Sequence, residues 1–387
     1  MTNIFGLAGW RPAAAYAAAA TCPPYDVIKP GSRLEALLRA NGSSLYHVTL
    51  GQRPAAAWAE LLERGVMLPD ELPGFYVYEQ SYGGQRRLGV LAAVEVTPYE
   101  RREIIRHEKT FDDKVRGRIA LMEETGAVTE PIWLLTRAGI GELLAAVAAG
   151  EPLYQFTSDF QGESELSGIQ NRIFKVAADS ERGEALAAMI RAEALYVADG
   201  HHRYHSALRM GLRHCIAYIC QADHARIQAY NRVIRGRRPF GEIRDQLPLR
   251  PAPVFDTPAR HQFILRGRDG CWSYQAERVN EADPVERLDC RILERTLYPL
   301  LGLEHSLIND PAYFDYYPEQ DLGRMERAVD EGSYDLAVAL HPVSPAELMA
   351  VADAGIVNPD IVMPEKSTFF APKILSGLIV IPTERRK

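Results

Sequence analysis

The sequence is poor in cysteine, and the five it has, Cys22, Cys215, Cys220, Cys271 and Cys290, are scattered and odd in number. No C-x-x-C pair occurs among them, which argues against a thiolate metal cluster or a disulfide framework and for reduced thiols in a cytoplasmic protein. Also missing is any apolar run approaching the roughly 20 residues that a membrane-spanning helix needs. The alanine-rich stretch 13–20 is not read as a signal-peptide core: Trp10 and Arg11 stand directly before it with no basic region ahead of them, and turn-forming Cys22-Pro23-Pro24-Tyr25-Asp26 follows. An excess of positive charge is absent too. The formal net charge is −7 and the pI about 5.9, so bulk electrostatics draw the chain neither to nucleic acid nor to an anionic membrane. There is no internal repeat and no low-complexity linker.

What remains is an ordinary globular composition, 47% hydrophobic and 25% charged over 387 residues, enough for two or three domains with their own cores. Apolar spacing predicts amphipathic helices over 31–41 and 54–65, the second carrying Trp58, Leu61 and Leu62. A hairpin follows, with strands over 75–82 and 88–96 joined by Gly83-Gly84. A helix over about 112–124, a strand over 132–135 and an alanine-rich helix over 142–149 continue an α/β alternation. A polar loop over 158–167 suggests a boundary, giving an N-terminal α/β domain over 1–150, a core segment over 151–240 and a C-terminal α/β domain over 241–387.

In the middle segment a short buried strand over 194–197, a tight turn at Asp199-Gly200 and a helix over 201–215 are expected, with Tyr204, Leu208, Leu212 and Cys215 along one side of the helix. The C-terminal third predicts strands over 263–266, 272–276, 336–341 and 378–381, and a helix over 284–301. Ser344-Pro345-Ala346-Glu347 is a capping box with proline at the first helical position, so another helix runs from there to about Asp353.

The chemistry concentrates in two short stretches. In Ala198-Asp199-Gly200-His201-His202-Arg203 the glycine permits close backbone approach, and the helix that follows offers free N–H groups and about half a unit of positive charge to an anion. Arg203 adds a planar fork suited to phosphate, and Asp199 a carboxylate for a metal or for orienting an acceptor. His201 and His205 have the i, i+4 spacing of two zinc ligands, but H-E-x-x-H is absent and no third ligand is evident, so a structural or phosphate-facing role is favoured. The second stretch is Arg106-His107-Glu108-Lys109-Thr110. Glu108 or His107 could accept a proton there, Lys109 could neutralise phosphate and Arg106 and Thr110 could bind it, although such a charged run also suits a solvated loop. Lys366-Ser367-Thr368 lacks the glycine loop of a Walker motif, and Gly139-Ile140-Gly141 lacks the third glycine of a dinucleotide fingerprint. Lys366, Ser367 and Lys373 remain as cofactor-side candidates from the C-terminal part.

Four stretches together resemble the bacterial and archaeal family catalogued as domain of unknown function 1015: Trp10-Arg11-Pro12 with Pro23-Pro24-Tyr25-Asp26-Val27-Ile28; the run from Arg106 to Thr110; the segment from Ala198 to Leu208; and MPEKSTFFAPKILSG from Met363 to Gly377. The resemblance implies a mixed α/β fold with a ParB/sulfiredoxin-like core, kinship with the free-serine kinases, and phosphates bound at Gly200-His201-His202-Arg203. It also implies ATP or ADP with Mg2+ as cofactors, Asp199 as metal candidate, and transfer of phosphate to free serine or a related small metabolite. The kinases' catalytic acid is not placed by any motif, so Glu108 and Asp26 stand as candidates from residue chemistry alone, with His107, Asp199 and His202 beside them. A phosphatase using the same anion site, or a nucleotide-gated binding protein of the ParB kind, are the alternatives. The oligomeric state is left open.

Overall fold

A computed structural model describes residues 2–160 and 167–386; part of the polar loop expected over 158–167 thus lies outside the described residues. The chain divides into two compact units, one made of Met1–Ala225 with Pro372–Lys387 and the other of Arg226–Ala371. Among the described residues no helix is long and apolar enough to cross a membrane, and the five cysteines carry no disulfide.

The first unit is built on a mixed ten-stranded sheet. Its strands are β1 (Ile4–Phe5), β2 (Leu7–Pro12), β3 (Met67–Tyr82), β4 (Gln85–Glu95), β5 (Ile104–Ile105), β7 (Ile132–Thr136), β8 (Tyr154–Ser158), β9 (Ile169–Ala177), β10 (Leu195–Asp199) and β11 (His214–Gln221); β6 (Ala127–Val128) lies outside it and pairs with Ile381–Pro382. The order is β5-β10-β7-β11-β4-β3-β9-β8, with β1 on β4 and β2 on β3. β7, β10 and β11 are apolar almost throughout because both of their faces are covered. The Gly83-Gly84 hairpin forms as expected, both glycines having positive φ.

Strand direction decides what the sheet brings together. β5 runs parallel to β10, with Ile104 opposite Leu195 and Ile105 opposite Tyr196, so the chain leaves β5 toward Arg106 at the end of the sheet where β10 delivers Asp199. β7 is antiparallel to β10, so its start, after Glu130-Pro131, lies at that same end. The register of this last pair slips between Val197 and Asp199, which frees Asp199 to open the turn into helix His201–Arg209.

The second unit has its own antiparallel six-stranded sheet, ordered Arg250–Pro251, Gly270–Gln275, Gln262–Gly267, Leu336–Leu340, Asn231–Ile234, Phe314–Tyr317. Helix Leu322–Asp330 closes a core of Val233, Phe255, Ile264, Met325, Val329, Ala337 and Ala339.

Three differences from expectation are the largest, beside a last strand that is only Ile381–Pro382 where 378–381 was expected. The helix expected over 201–215 stops at Arg209, because Gly211 takes φ 66° and His214–Gln221 becomes the buried strand β11. Of the helix expected over 284–301 only Asp289–Thr296 is α-helical. Divisions at 150 and 240 do not coincide with the two units: β8 and β9 lie beyond residue 150 yet join β3 in the first sheet, and Asn231–Ile234 pairs with strands that lie beyond residue 240.

The capping box is present as expected. The Ser344 side chain accepts from the Glu347 amide, Glu347 accepts from the Ser344 amide, and the helix runs Pro345–Val357. Ser344→Ala is expected to destabilise the protein by about 1 kcal/mol, measured as a lowered midpoint in urea unfolding; an unchanged midpoint means that the cap does not limit the unfolding transition.

Candidate functional site

Gly200, at φ 92°, bends the end of β10 into helix His201–Arg209. A side chain there would strain the backbone, and its Cβ would meet Arg203 Nε at 3.0 Å and Ile132 Cγ2 at 3.1 Å. Arg203 has folded back beneath the turn. One of its nitrogens donates to Asp199 Oδ2 at 2.5 Å, another bonds the Pro131 carbonyl, and the side chain is buried. Lys373 Nζ, from the C-terminal segment, reaches the other Asp199 oxygen at 3.2 Å. Lys373 is itself placed by the hairpin: Gln80 Nε2 donates to the Lys373 carbonyl at 3.1 Å, and Arg87 donates to the Pro372 carbonyl at 2.5 Å.

Burial opposes a charge on Asp199, but the Lys373 ammonium and the Arg203 guanidinium outweigh it and hold the carboxyl well below its usual range. Asp26 shows the opposite shift. The protein around it and then the Asp199 charge push its carboxyl up, while Arg203 and Lys373 pull the other way. The Asp26 residue is itself exposed, yet the protein packed around its carboxyl is the first cause of the shift and the Asp199 charge the second. Its loop is pinned by Glu130, which accepts from the Tyr25 amide at 3.2 Å and from Ser376 Oγ at 3.1 Å, and by Arg118, which lies 3.9 Å over the Tyr25 ring.

The chain leaving β5 crosses the start of the helix. The His107 amide points to His201 Nε2 at 3.5 Å, and their rings meet edge to face with centroids 4.5 Å apart. Glu108 lies between them, 3.5 Å from His201 Nδ1 and 3.7 Å from His107 Nε2, both longer than good hydrogen bonds. Neither ring nitrogen of buried His107 has a hydrogen-bond partner, an arrangement that ordinarily costs about 1–3 kcal/mol. Burial and the neighbouring His107 push His201 down to about 3, so its ring is neutral at physiological pH. Glu108 is ionised. Burial opposes this, but the His201 and His107 imidazoles hold its carboxyl at about 2.

The other expected residues divide. His202 accepts from the Phe111 amide at 3.1 Å and stacks on the Phe111 ring; burial and then Lys114 lower its pKa. Arg106 lies over the Tyr99 ring, centroid distance 4.5 Å. Lys109 is exposed and Thr110 half-buried. His205 stacks on Tyr99 and joins no metal-competent group among the described residues. Lys366 and Ser367 belong to the second unit, where the Lys366 ammonium lies over the Tyr230 and Tyr316 rings and Ser367 is buried. The sequence placed Asp26, His107, Glu108, Asp199, Gly200, His201 and Lys373 on its list, and the first unit holds all seven. It did not foresee Glu130 or Arg118, whose contacts no local pattern announces.

Two substitutions test this geometry. Gly200→Ala is expected to cost roughly 1–2 kcal/mol from the left-handed backbone alone. Arg203→Ala should cost roughly 3 kcal/mol, because it leaves a largely buried carboxylate with Lys373 as its one cation and takes a donor from the Pro131 carbonyl. Denaturant unfolding measures both; an Arg203→Ala protein as stable as the parent would show that Asp199 does not depend on that cation.

No curated protein matches the chain. Among solved structures, SbnI with C-terminal truncation from Staphylococcus aureus is 13% identical, with 76% of this chain and 87% of that chain covered and a TM-score of 0.41. A free serine kinase in complex with AMP is 14% identical, covering 75% and 92% with a TM-score of 0.37. A conserved hypothetical protein from Pyrococcus furiosus is 12% identical, covering 75% and 95% with a TM-score of 0.35. The sequence model of the family described as protein of unknown function (DUF1015) matches residues 4–291, about three quarters of the chain, and the chain therefore belongs to that family.

Proposed function

We propose that the protein is a nucleotide-dependent phosphotransferase, with phosphate bound at the 199–203 turn and the hydroxyl of free serine or a similar small alcohol as acceptor. The observation that carries this is the turn itself: an ionised Asp199 and a nine-residue helix, whose first amides lack intrahelical acceptors, meet at one glycine. Such amides, backed by the helix dipole, bind phosphate oxygens. Kinship with the ParB and sulfiredoxin group is part of the same proposal and rests on Gly200-His201-His202-Arg203.

Residue roles shift from those expected. Arg203 commits donors to Asp199 and Pro131, so it clamps the turn. Glu108, held near 2, is a weak base at neutral pH. Two carboxylates whose shifts oppose each other are the pattern expected of a proton acceptor beside a fixed anion, which assigns the base to Asp26 and the fixed charge to Asp199. In the transfer the acceptor oxygen bonds to the terminal phosphorus, the bond from phosphorus to the departing nucleotide breaks, and the hydroxyl proton passes to Asp26. ATP would leave as ADP, or ADP as AMP. Catalysis is then mainly positioning and charge neutralisation. Mg2+ at Asp199 fits poorly, since both oxygens already face cations, and no step is assigned to it.

Incubation with serine, Mg2+ and either ATP or ADP should give phosphoserine by mass spectrometry; none with either nucleotide refutes serine as acceptor. Asp26→Asn should lower turnover roughly 10²–10⁴-fold with nucleotide affinity little changed. The pH dependence follows from the sign of the shift. A base must be deprotonated, so a raised Asp26 carboxyl places the acid limb of kcat/KM above the usual aspartate value of about 3.9. An acid limb that survives unchanged in Asp26→Asn removes Asp26 from this role.

A further inference from the structure

We propose that His107, Glu108 and His201 form a binding site for a divalent first-row transition-metal ion, held by two imidazole nitrogens and one carboxylate oxygen, with its remaining positions open to water or an anionic oxygen ligand. One ligand atom from each residue lies within 4.8 Å of the others. The separations of 3.5 Å and 3.7 Å from Glu108 to the two imidazoles are long for hydrogen bonds. The first runs from Oε2 to His201 Nδ1 and the second from Oε1 to His107 Nε2, so the carboxylate lies between the two imidazoles, each separation near that of neighbouring ligands around an ion with bonds of about 2.0–2.2 Å.

A second, independent observation is the state of His107. Its side chain is 0% exposed, and neither ring nitrogen has a hydrogen-bond partner. Ligation through one ring nitrogen would account for that nitrogen's lack of a hydrogen-bond partner. The backbone constrains both histidines: His107 follows the short strand β5, and His201 is the first residue of its helix, beside the parallel strand β10. Glu108, 42% exposed, leaves the site accessible from solvent.

Ligand chemistry sets the class of ion. Two imidazoles with one carboxylate favour zinc, iron, cobalt or nickel over magnesium, which prefers oxygen alone. Three protein ligands leave at least one position for water or an oxygen of a bound anion. In the metal-free protein His201 Nε2 faces the His107 amide at 3.5 Å, which places the ring proton on Nδ1, toward Glu108. Metal binding through Nδ1 moves the ring proton to Nε2 and gives up that long contact.

The site stands without the phosphotransfer proposal, because it is tested with metal alone and no nucleotide or alcohol. Chelator-stripped protein is titrated with Zn2+ against a fluorescent competitor, and with Co2+ while its visible absorption is followed. The expected result is one equivalent of Zn2+, no competition from Mg2+ at the same concentration, and a Co2+ spectrum that Zn2+ abolishes. Glu108→Gln and His107→Ala should each weaken Zn2+ binding at least tenfold, while His205→Ala, outside the cluster, should leave it unchanged. Failure to bind one equivalent of Zn2+, or undiminished affinity in Glu108→Gln, overturns the proposal, as does loss of binding in His205→Ala. If His107→Ala does not fold, Glu108→Gln decides, since its half-exposed side chain changes neither size nor core packing.

Discussion

A carboxylate at the end of a buried strand stays charged only where cations meet it, and several long-range contacts of the first unit serve that constraint. Asp199 meets it with one cation from the next helical turn and another 174 residues away. The first requires that Arg203 curl beneath the chain, which only a glycine at position 200 leaves room for. The second requires that the C-terminal segment return to the sheet. It does so through the Trp10–Val380 backbone pair, the pairing of Ala127–Val128 with Ile381–Pro382, and the Gln80 and Arg87 contacts that seat Pro372 and Lys373. A charge pair near 4 Å is worth roughly 4 kcal/mol gross at a protein surface, but desolvation cancels much of it. The cluster therefore matters more for fixing the turn than for holding the fold together.

Local chemistry was legible wherever a short pattern decides the outcome. The Gly83-Gly84 hairpin, the Ser344 capping box and the Asp199-Gly200 turn follow from the residues within a few positions of each. The errors come from apolar runs, where period alone does not separate a buried helix from a buried strand. Leu208, Leu212 and Cys215 have helical spacing, yet Gly211 breaks the helix and Cys215 lies in β11, whose cysteine, isoleucine and tyrosine residues are buried on both faces. β8 and β9 were missed for the opposite reason: polar residues such as Gln155, Gln170 and Asn171 resemble a loop, and only pairing with β3 makes this region part of the sheet.

In the candidate site, residue types were legible and partnerships were not. A guanidinium fork fits a phosphate or a carboxylate equally well, and Arg203 took the carboxylate because Asp199 stands one helical turn before it. The i, i+4 spacing of His201 and His205 suggested a metal pair without a third ligand, but a helix face shows only its own residues. The partners of His201 come from a segment ordered by a two-residue strand, β5, too short to leave a periodic signal, while His205 turns to Tyr99.

These partnerships bear on how an anion could be held at the turn. Around the turn, Arg203 and Lys373 are matched by Asp199, by the ionised Glu108 and by whatever fraction of Asp26 is charged, while His201 is neutral. Apart from the helix dipole, worth about half a charge, that leaves little net positive charge for a phosphate carrying two or more negative charges. Lengthening the list of surface lysines does not mend this, because exposed charges are screened within about 10 Å at ordinary salt. A divalent ion between His107, Glu108 and His201 would, since it would bring two charges to the first residue of the helix whose amides would face such an anion. The unpartnered His107 ring and the weak positive field at the turn thus have one physical remedy in common.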